Sequence, residues 1–391
     1  MKILYATDIH AGFDKLGILC EYAKKSNPDL LVVSGDLADV AFNDAKLFER
    51  HSILTKIVWE YMIRSEPGLK RLTPYEATRA LPIVAEKIYE NPQSEDLEKI
   101  VEHYLNSLDF FEGNMDLQYD LVKTILEKQG LDYHLIPGNH DKDLQATVLK
   151  DRDMHKKTLE KNGLTLSFFG GANDIQYGDV VPFGTPAELT MPFNEYVNRE
   201  GKLVSEIFNF LIKEKPDIAF THIPPVNIRD LAVHPGIIHL GDEKVKHLFR
   251  QGGPALLGYV QRSGSQELTK FLKKGGSPGL LKYLQQGFTK VLCCGHIHES
   301  VGVEKIDANN GSVVIFNAGS LKQGYFGEIS IDENKSLEKI ALYRIKGKLI
   351  LPGNLEETLD ASNVNLIMQY FITPENELKK MKTDFEDPYE Y

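Results

Sequence analysis

The residues best suited to chemistry lie in the stretch Leu135-Ile136-Pro137-Gly138-Asn139-His140-Asp141. An apolar run there ends in a glycine, and an amide, an imidazole and a carboxylate follow in succession. Glycine permits a turn and, because it lacks a side chain, leaves room for a metal ion or a phosphate to come close. The same residues could form an ordinary turn in which Asn139 and Asp141 hydrogen-bond their own backbone. The stretch alone leaves both interpretations open.

The same pattern occurs four more times, where an apolar run ends in side chains that can bind a metal. These side chains are Asp8 and His10, Asp36 and Asp39, His222, and His296 and His298. In an α/β sheet, ligands bind beyond the carboxyl ends of the strands, so several strand ends can converge on one edge. We therefore expect one site that is built by several strands together.

The spacing within two of these runs suits metal binding. Asp8 and His10 are two residues apart, so in an extended chain both side chains project to the same side and can hold one ion. His296 and His298 have the same spacing, which would let one imidazole face each of two neighbouring ions, with Asp36 as a bridge. Nitrogen and oxygen ligands without thiolate favour manganese, iron, zinc or cobalt.

The order of apolar runs predicts an α/β core. A strand at 2–8, a helix at 14–26 and a strand at 29–36 indicate a right-handed βαβ unit. Further strands are predicted at 133–137, 164–169, 174–183, 217–221, 291–294, 313–316, 327–331 and 337–345. Residues 142–161 are charged and favour helix, 195–214 form an amphipathic helical pattern, and the polar end from 360 allows one or two helices.

Residues 42–112 interrupt this alternation with helical periodicity. Apolar residues four apart predict amphipathic helices, for example Ile53, Ile57 and Tyr61. Ser94 can cap one of these helices. The segment lies between the runs that end at Asp39 and Asp141, so we interpret it as a helical cap over the site. Contact with a second subunit, giving a homo-oligomer, is the alternative use of its apolar faces.

Composition is that of a soluble globular protein. The chain has 391 residues, of which 42% are hydrophobic and 26% charged, enough for a large core and a second small domain. Its cysteines, Cys20, Cys293 and Cys294, indicate no disulfide framework, which favours a reducing compartment. We expect a cytoplasmic protein without membrane association, because no signal peptide or long apolar run is evident. The net charge of -11 makes nucleic acid a less favoured partner unless a basic groove compensates.

Together the runs resemble the five motifs of the calcineurin-like metallophosphoesterase superfamily, in the order of that family. The matching runs are Asp8-Ile9-His10, Gly35-Asp36 with Asp39, Gly138-Asn139-His140-Asp141, Thr221-His222 and Gly295-His296-Ile297-His298. The resemblance implies a four-layer α/β/β/α sandwich of two mixed sheets. The predicted domains are a core of residues 1–41 and 113–350, an inserted helical subdomain of residues 42–112 and a C-terminal tail of residues 351–391.

The resemblance also implies a role for each matching residue. The ligands of a first divalent ion would be Asp8, His10, Asp36 and His298. The ligands of a second would be Asp36, Asn139, His222 and His296. His140 would stay unligated beside the substrate as a proton donor, and Asp39 would orient it, with Asp141 as the alternative. Manganese is the favoured metal, with iron, zinc or cobalt as alternatives.

The implied activity is hydrolysis of a phosphomonoester or phosphodiester of a small molecule or nucleotide, by attack of a hydroxide that bridges two metal ions. Protein phosphatases of the superfamily carry an arginine after the residue that matches Asp39, whereas this chain has Val40, which argues against a Ser/Thr protein phosphatase. Two other classes stay open. A DNA nuclease of the SbcD type would need clustered Lys and Arg, and a non-catalytic scaffold would keep only the fold.

Overall fold

A computed structural model of the chain describes residues 1–39, 45–65, 74–128, 130–172, 189–190, 193–199, 202–251, 254–345, 364–372 and 378–382. Val40 and the strand predicted at 174–183 lie outside these residues. Within the described part of the chain, no helix combines the length and the apolar character that are needed to span a membrane.

The elements are numbered in chain order. The strands are β1 (Lys2–Ala6), β2 (Leu30–Ser34), β3 (Tyr133–Ile136), β4 (Lys157–Lys161), β5 (Leu164–Phe169), β6 (Tyr196–Arg199), β7 (Lys202–Ser205), β8 (Ile218–Thr221), β9 (Leu231–Val233), β10 (Leu272–Lys274), β11 (Val291–Cys294), β12 (Gly302–Ala308), β13 (Gly311–Asn317), β14 (Tyr325–Ile331), β15 (Leu337–Ile345), β16 (Val364–Ile372) and β17 (Leu378–Lys382). The α-helices are α1 (Phe13–Ser26), α2 (Ala45–Ser65), α3 (Pro74–Glu90), α4 (Glu95–Glu127), α5 (Glu206–Glu214), α6 (Glu243–Gln251), α7 (Pro254–Ser263), α8 (Gln266–Thr269) and α9 (Pro278–Leu284).

Two mixed sheets form the centre of the fold. The first has seven strands in the order β17-β16-β15-β14-β1-β2-β3, and the second has six in the order β12-β13-β11-β8-β5-β4. Strands β1, β2 and β3 pair in parallel, as do β13, β11, β8 and β5. Helices α1 and α4 cover the outer face of the first sheet, and α5 and α9 cover that of the second. The predicted α/β/β/α sandwich of two mixed sheets is confirmed.

Strand β1 shows why the core strands are continuous apolar runs. Ile3 and Tyr5 point into the cluster between the sheets, whereas Leu4 and Ala6 point into the cluster under α1 and α4. All four side chains are fully buried. A strand that is covered on both faces buries its side chains on both sides, so its sequence is a nearly continuous apolar run.

Helix α4 joins the insertion to the core. Its first half packs with α2 and α3 around a small cluster that includes Val58 and Tyr104, and its second half packs on the first sheet through Met115 and Val122. The Ser94 side chain caps it by accepting a hydrogen bond from the Leu97 N–H at 3.2 Å, as predicted. The helix crosses the expected boundary at residue 112 without a break, so one rigid element belongs to both parts.

Three predicted helical regions have other structures. Residues 142–161 form short turns and β4, because aspartate side chains accept hydrogen bonds from nearby backbone N–H groups, as Asp143 does from Gln145. Residues 196–199 and 202–205 pair antiparallel as β6 and β7, and α5 begins only after Ser205, which caps it. In the tail, β16 and β17 extend the first sheet, since Ile367 and Met368 are buried in the cluster between the sheets.

His155, which lies outside the site, should make the stability of the protein depend on pH. Its ring stacks on Phe193 with centroids 3.6 Å apart, and its Nδ1 accepts a hydrogen bond from the Gly170 N–H at 3.0 Å. Burial lowers the pKa of His155 to about 3. In the unfolded chain the pKa is about 6.5, so between these values the unfolded state binds more protons and stability falls as the pH falls.

We expect this histidine to remove about 2 kcal/mol of stability between about pH 7.5 and pH 5. His155→Gln should lose stability at the higher pH but show a flatter decline toward the lower one. Urea unfolding of both proteins at the two pH values measures the difference. Equal declines in the two proteins would contradict the prediction.

Candidate metal centre

The predicted ligands converge at the carboxyl ends of β1, β2, β3, β8 and β11. Two groups of side chains result, Asp8 with His10 and His298, and Asp36 with His222 and His296. In each group, one ligand atom from every residue lies within 4.8 Å of the others. The division agrees with the two ligand sets that the resemblance implies.

Asp36 lies between the two groups. Its Oδ2 is 3.4 Å from His10 Nε2 and also 3.4 Å from His222 Nε2. Its Oδ1 accepts a hydrogen bond from the His140 backbone N–H at 2.8 Å, which fixes the carboxylate. One oxygen thus faces both groups, the geometry that a bridging ligand requires.

Asn139 adds an oxygen to the second group. Its Oδ1 lies 2.9 Å from His222 Nε2 and 2.8 Å from His296 Nδ1. Three predicted ligands from three separate loops therefore meet at one point. All contribute nitrogen or oxygen, which suits a divalent ion of the manganese-to-zinc series.

Neighbouring groups orient these ligands. The Thr7 hydroxyl and the His296 backbone N–H donate to Asp8 Oδ2 at 2.6 and 3.0 Å, and Asp8 Oδ1 lies 3.0 Å from His298 Nε2. His222 Nδ1 lies 3.0 Å from the Ser34 carbonyl oxygen, so an Nδ1–H can donate there while Nε2 keeps its lone pair for a metal. Such outer contacts set both the direction and the tautomer of a ligand.

The backbone at the ligands has an unusual conformation. Asp8, His10, Asp36 and His296 have φ of 57°, 42°, 51° and 64°. Residues other than glycine adopt this left-handed region at a cost, and such residues concentrate at functional sites. The backbone N–H groups of Asp8 and His10 donate to the carbonyls of Gly35 and Asp36 at 3.0 and 2.8 Å, which holds the turn. Asp8 and His10 therefore share a group through this turn, and the extended backbone assumed for their two-residue spacing is wrong.

Gly138 and Gly295 have no room for a side chain. A Cβ atom on Gly138 would lie 2.1 Å from Asp36 Oδ1, and one on Gly295 would lie 2.5 Å from Asp8 Oδ2. The absence of a side chain lets the ligand loops approach each other, whereas the sequence suggested room for a metal ion or a phosphate.

Gly138→Ala should displace Asp36 and weaken metal binding about ten- to a hundredfold, the effect typical of disturbed outer contacts. Gly113→Ala is the matched control, because a Cβ there meets nothing within 4 Å and α4 is helical at that point. The control should keep metal affinity and gain about 1 kcal/mol of stability. Calorimetric titration with Mn²⁺ and thermal unfolding measure both effects. Unchanged metal affinity in Gly138→Ala would contradict the assignment.

Burial and neighbouring charges shift the pKa values of the site histidines in opposite directions. Burial raises the pKa of Asp36, but attraction to neighbouring histidines, His222 first, holds it well below its usual range. Burial lowers the pKa of His10 to about 4 and that of His296 to about 3, so both are neutral near neutral pH. Burial also opposes the charge on His222, but Asp36 outweighs it and raises the pKa of His222 to about 9. A metal ion at His222 must therefore displace a proton, which makes its affinity rise with pH.

The remaining predicted site residues lie next to the two groups. The His140 ring is 5.1 Å from the His10 ring between centroids, and Asp39 Oδ2 lies 2.9 Å from Lys322 Nζ. Asp141 is fully buried and accepts hydrogen bonds from backbone N–H groups of both loops, Leu37 at 3.0 Å and Gly138 at 2.8 Å. Asp141 therefore joins the loops, and its alternative role as the residue that orients His140 stays a prediction.

Sequence reasoning missed Gln118 and Lys322. The Gln118 amide makes two hydrogen bonds to the Asp39 backbone, at 2.9 and 3.0 Å. Gln118 lies within α4, where no local pattern marks it. Lys322 follows a Gly-Ser turn after β13, another strand that ends at this edge, so the pattern of an apolar run followed by a glycine could have identified it.

The chain is similar to solved structures at low sequence identity. No protein-family model and no curated protein matches the chain. Among solved structures, TT1561 of Thermus thermophilus is 12% identical with a TM-score of 0.37, over 86% of this chain and 96% of that one. A dimetal phosphatase from Danio rerio is 10% identical with a TM-score of 0.40, over 88% of this chain and 95% of that one. The two mixed sheets and the five converging loops agree with the fold and motif order implied by the resemblance to the calcineurin-like metallophosphoesterase superfamily.

Proposed function

We propose that the protein is a phosphoesterase that depends on two divalent metal ions. The observation that supports this most strongly is Asp36 Oδ2, which lies 3.4 Å from a histidine of each ligand group. A binuclear site needs such a shared anionic oxygen. Around it, Asp8, His10 and His298 would complete one site, and Asn139, His222 and His296 the other.

The donor set fits manganese, with iron, zinc or cobalt as alternatives. When bound, a pair of such ions lowers the pKa of water and neutralises phosphate charge. The chain itself contributes fixed carboxylates and imidazoles that are already directed at the site, and His222 would lose its proton when the ions bind. No reorganisation of buried side chains is then needed when a phosphate arrives.

His140 is the proposed proton donor to the leaving group. Its backbone N–H is fixed on Asp36 Oδ1, and its ring lies beside that of His10 without belonging to either ligand group. An imidazole can donate a proton near neutral pH, which an alkoxide requires in order to leave. Asp39 is the proposed residue that orients this imidazole.

A DNA nuclease is the second candidate because one segment is basic, whereas the chain as a whole is acidic. Residues 231–274 contain seven Lys and Arg against three Asp and Glu. The described residues of this segment pack around their own small cluster, which includes the antiparallel strands β9 and β10. Lys273 and Lys274 are exposed, and a Cβ on the next residue, Gly275, would lie 3.8 Å from His296 Nε2. Clustered cations near a phosphoesterase site are what a nucleic-acid substrate requires.

A hydrolysis screen tests the proposal. The Mn²⁺-loaded protein is offered p-nitrophenyl mono- and diesters, nucleotides and DNA, with a chelator-treated sample as the control. Turnover that the chelator abolishes supports a metal-dependent phosphoesterase, and cleavage of DNA alone favours the nuclease. Absence of turnover with manganese, iron, zinc and cobalt alike would contradict the proposal and favour a scaffold.

A further inference from the structure

Lys322 lies at the rim of the site on a fixed backbone. Its N–H donates to the Asp8 carbonyl at 3.2 Å, the Leu321 N–H donates to the Thr7 carbonyl at 2.8 Å, and the Ser320 hydroxyl donates to the Asp8 carbonyl at 2.8 Å. Ser320 and Leu321 are fully buried. The segment is therefore anchored on the loop that presents Asp8.

The ammonium group of Lys322 pairs with the loop that presents Asp36. Its Nζ lies 2.9 Å from Asp39 Oδ2, and the Asp39 backbone is held by both ends of the Gln118 amide. Asp39 is three residues from Asp36, whose Oδ2 lies 3.4 Å from His10 Nε2 and from His222 Nε2. Since a lysine ammonium has three N–H donors, it can contact an anion while it keeps its bond to Asp39.

We propose that Lys322 binds the substrate phosphate and favours phosphomonoesters over phosphodiesters, an inference that depends on the proposed phosphoesterase function. Near neutral pH a monoester carries close to two negative charges, since its second pKa is about 6. A diester carries one charge, because its second oxygen is esterified. The extra charge of the monoester needs a further cation beside the metals, and Lys322 supplies one.

An exposed ion pair elsewhere in the protein provides a matched control. Lys290 Nζ lies 3.0 Å from Asp217, with side chains 47% and 25% exposed, against 49% and 26% for Lys322 and Asp39. Lys290 immediately precedes β11, at the end of that strand opposite to His296. The two pairs are alike in distance and exposure and differ in their position relative to the site.

The test compares p-nitrophenyl phosphate with bis(p-nitrophenyl) phosphate, using the Mn²⁺-loaded protein. Lys322→Met should lower kcat/KM for the monoester about ten- to a hundredfold, the usual effect of losing a hydrogen bond to a charged group. The loss on the diester should be at least about tenfold smaller, because the diester carries only one charge. Lys322→Arg should recover most of the monoester rate, and Lys290→Met should leave both rates unchanged. Equal losses on the two esters in Lys322→Met would overturn the proposal.

A double variant distinguishes binding of the phosphate by Lys322 from simple neutralisation of the Asp39 carboxylate by Lys322. If Lys322 only masks that carboxylate, adding Asp39→Asn to Lys322→Met should restore the monoester preference, and the proposal is overturned. If Lys322 contacts phosphate, the preference stays lost.

Binding of inorganic phosphate and dimethyl phosphate, measured by calorimetry, gives a readout without turnover. Weaker phosphate binding in Lys322→Met, with dimethyl phosphate binding unaffected, supports the role of Lys322. If this result is found and yet no ester is hydrolysed, the proposed phosphoesterase activity is wrong and the role of Lys322 in phosphate binding stands. Equal binding of phosphate to both proteins overturns the role of Lys322.

Discussion

Asp36→Asn is expected to reduce bound divalent metal from two ions per chain to fewer than one, and to lower kcat by more than about a thousandfold. Asparagine has nearly the same size as aspartate but no negative charge. The oxygen at 3.4 Å from both His10 and His222 would therefore lose the anionic character on which both ions depend. Elemental analysis after dialysis against Mn²⁺ measures the loss, together with turnover of p-nitrophenyl phosphate.

Asp39→Asn is the control for this prediction. It removes a carboxylate from the same loop, but one that is paired with Lys322 and lies in neither ligand group. It should keep two ions per chain. Two ions in Asp36→Asn, or equal losses in the two variants, would mean that Asp36 does not bridge the metals.

The fold was predictable from the sequence where both faces of a strand are buried, because such a strand must be apolar along its length. Tyr5 and Leu4 are buried on opposite faces of β1, so the strand had to be a continuous apolar run and was recognisable. Because β1, β2 and β3 run in parallel, the polar residues that follow them had to meet at one edge. The convergence of Asp8, Asp36 and Asn139 follows from these two facts.

The local conformations were not predictable because distant contacts decide them. The turn at Asp8 and His10 is held by the carbonyls of Gly35 and Asp36, which belong to another loop. Strand β16 forms because Met368 finds a buried position between the sheets, and strand formation depends on such surroundings more than on intrinsic preference. Lys322 contacts a carboxylate 283 residues away, so no local pattern could assign its partner.

His140→Ala is expected to keep both metal ions and to lower kcat about a hundred- to ten-thousandfold on alkyl phosphates, the usual contribution of a general acid. The alanine variant retains the backbone N–H that donates to Asp36 Oδ1 at 2.8 Å, so the bridging carboxylate stays in place. An alkoxide cannot leave without a proton, whereas p-nitrophenolate is stable as an anion. The loss should therefore shrink as the leaving group becomes more acidic.

The comparison that isolates this role is His10→Ala, because the two rings lie 5.1 Å apart yet only His10 belongs to a ligand group. His10→Ala should lose metal and should lose rate on every ester alike. For His140→Ala, elemental analysis should give two ions per chain, and the plot of log kcat against leaving-group pKa should be steeper than that of the unmodified protein. Equal metal loss in the two variants would make His140 a ligand. A parallel plot would remove its role as proton donor, since a group that donates to the leaving oxygen must matter more as that oxygen becomes more basic.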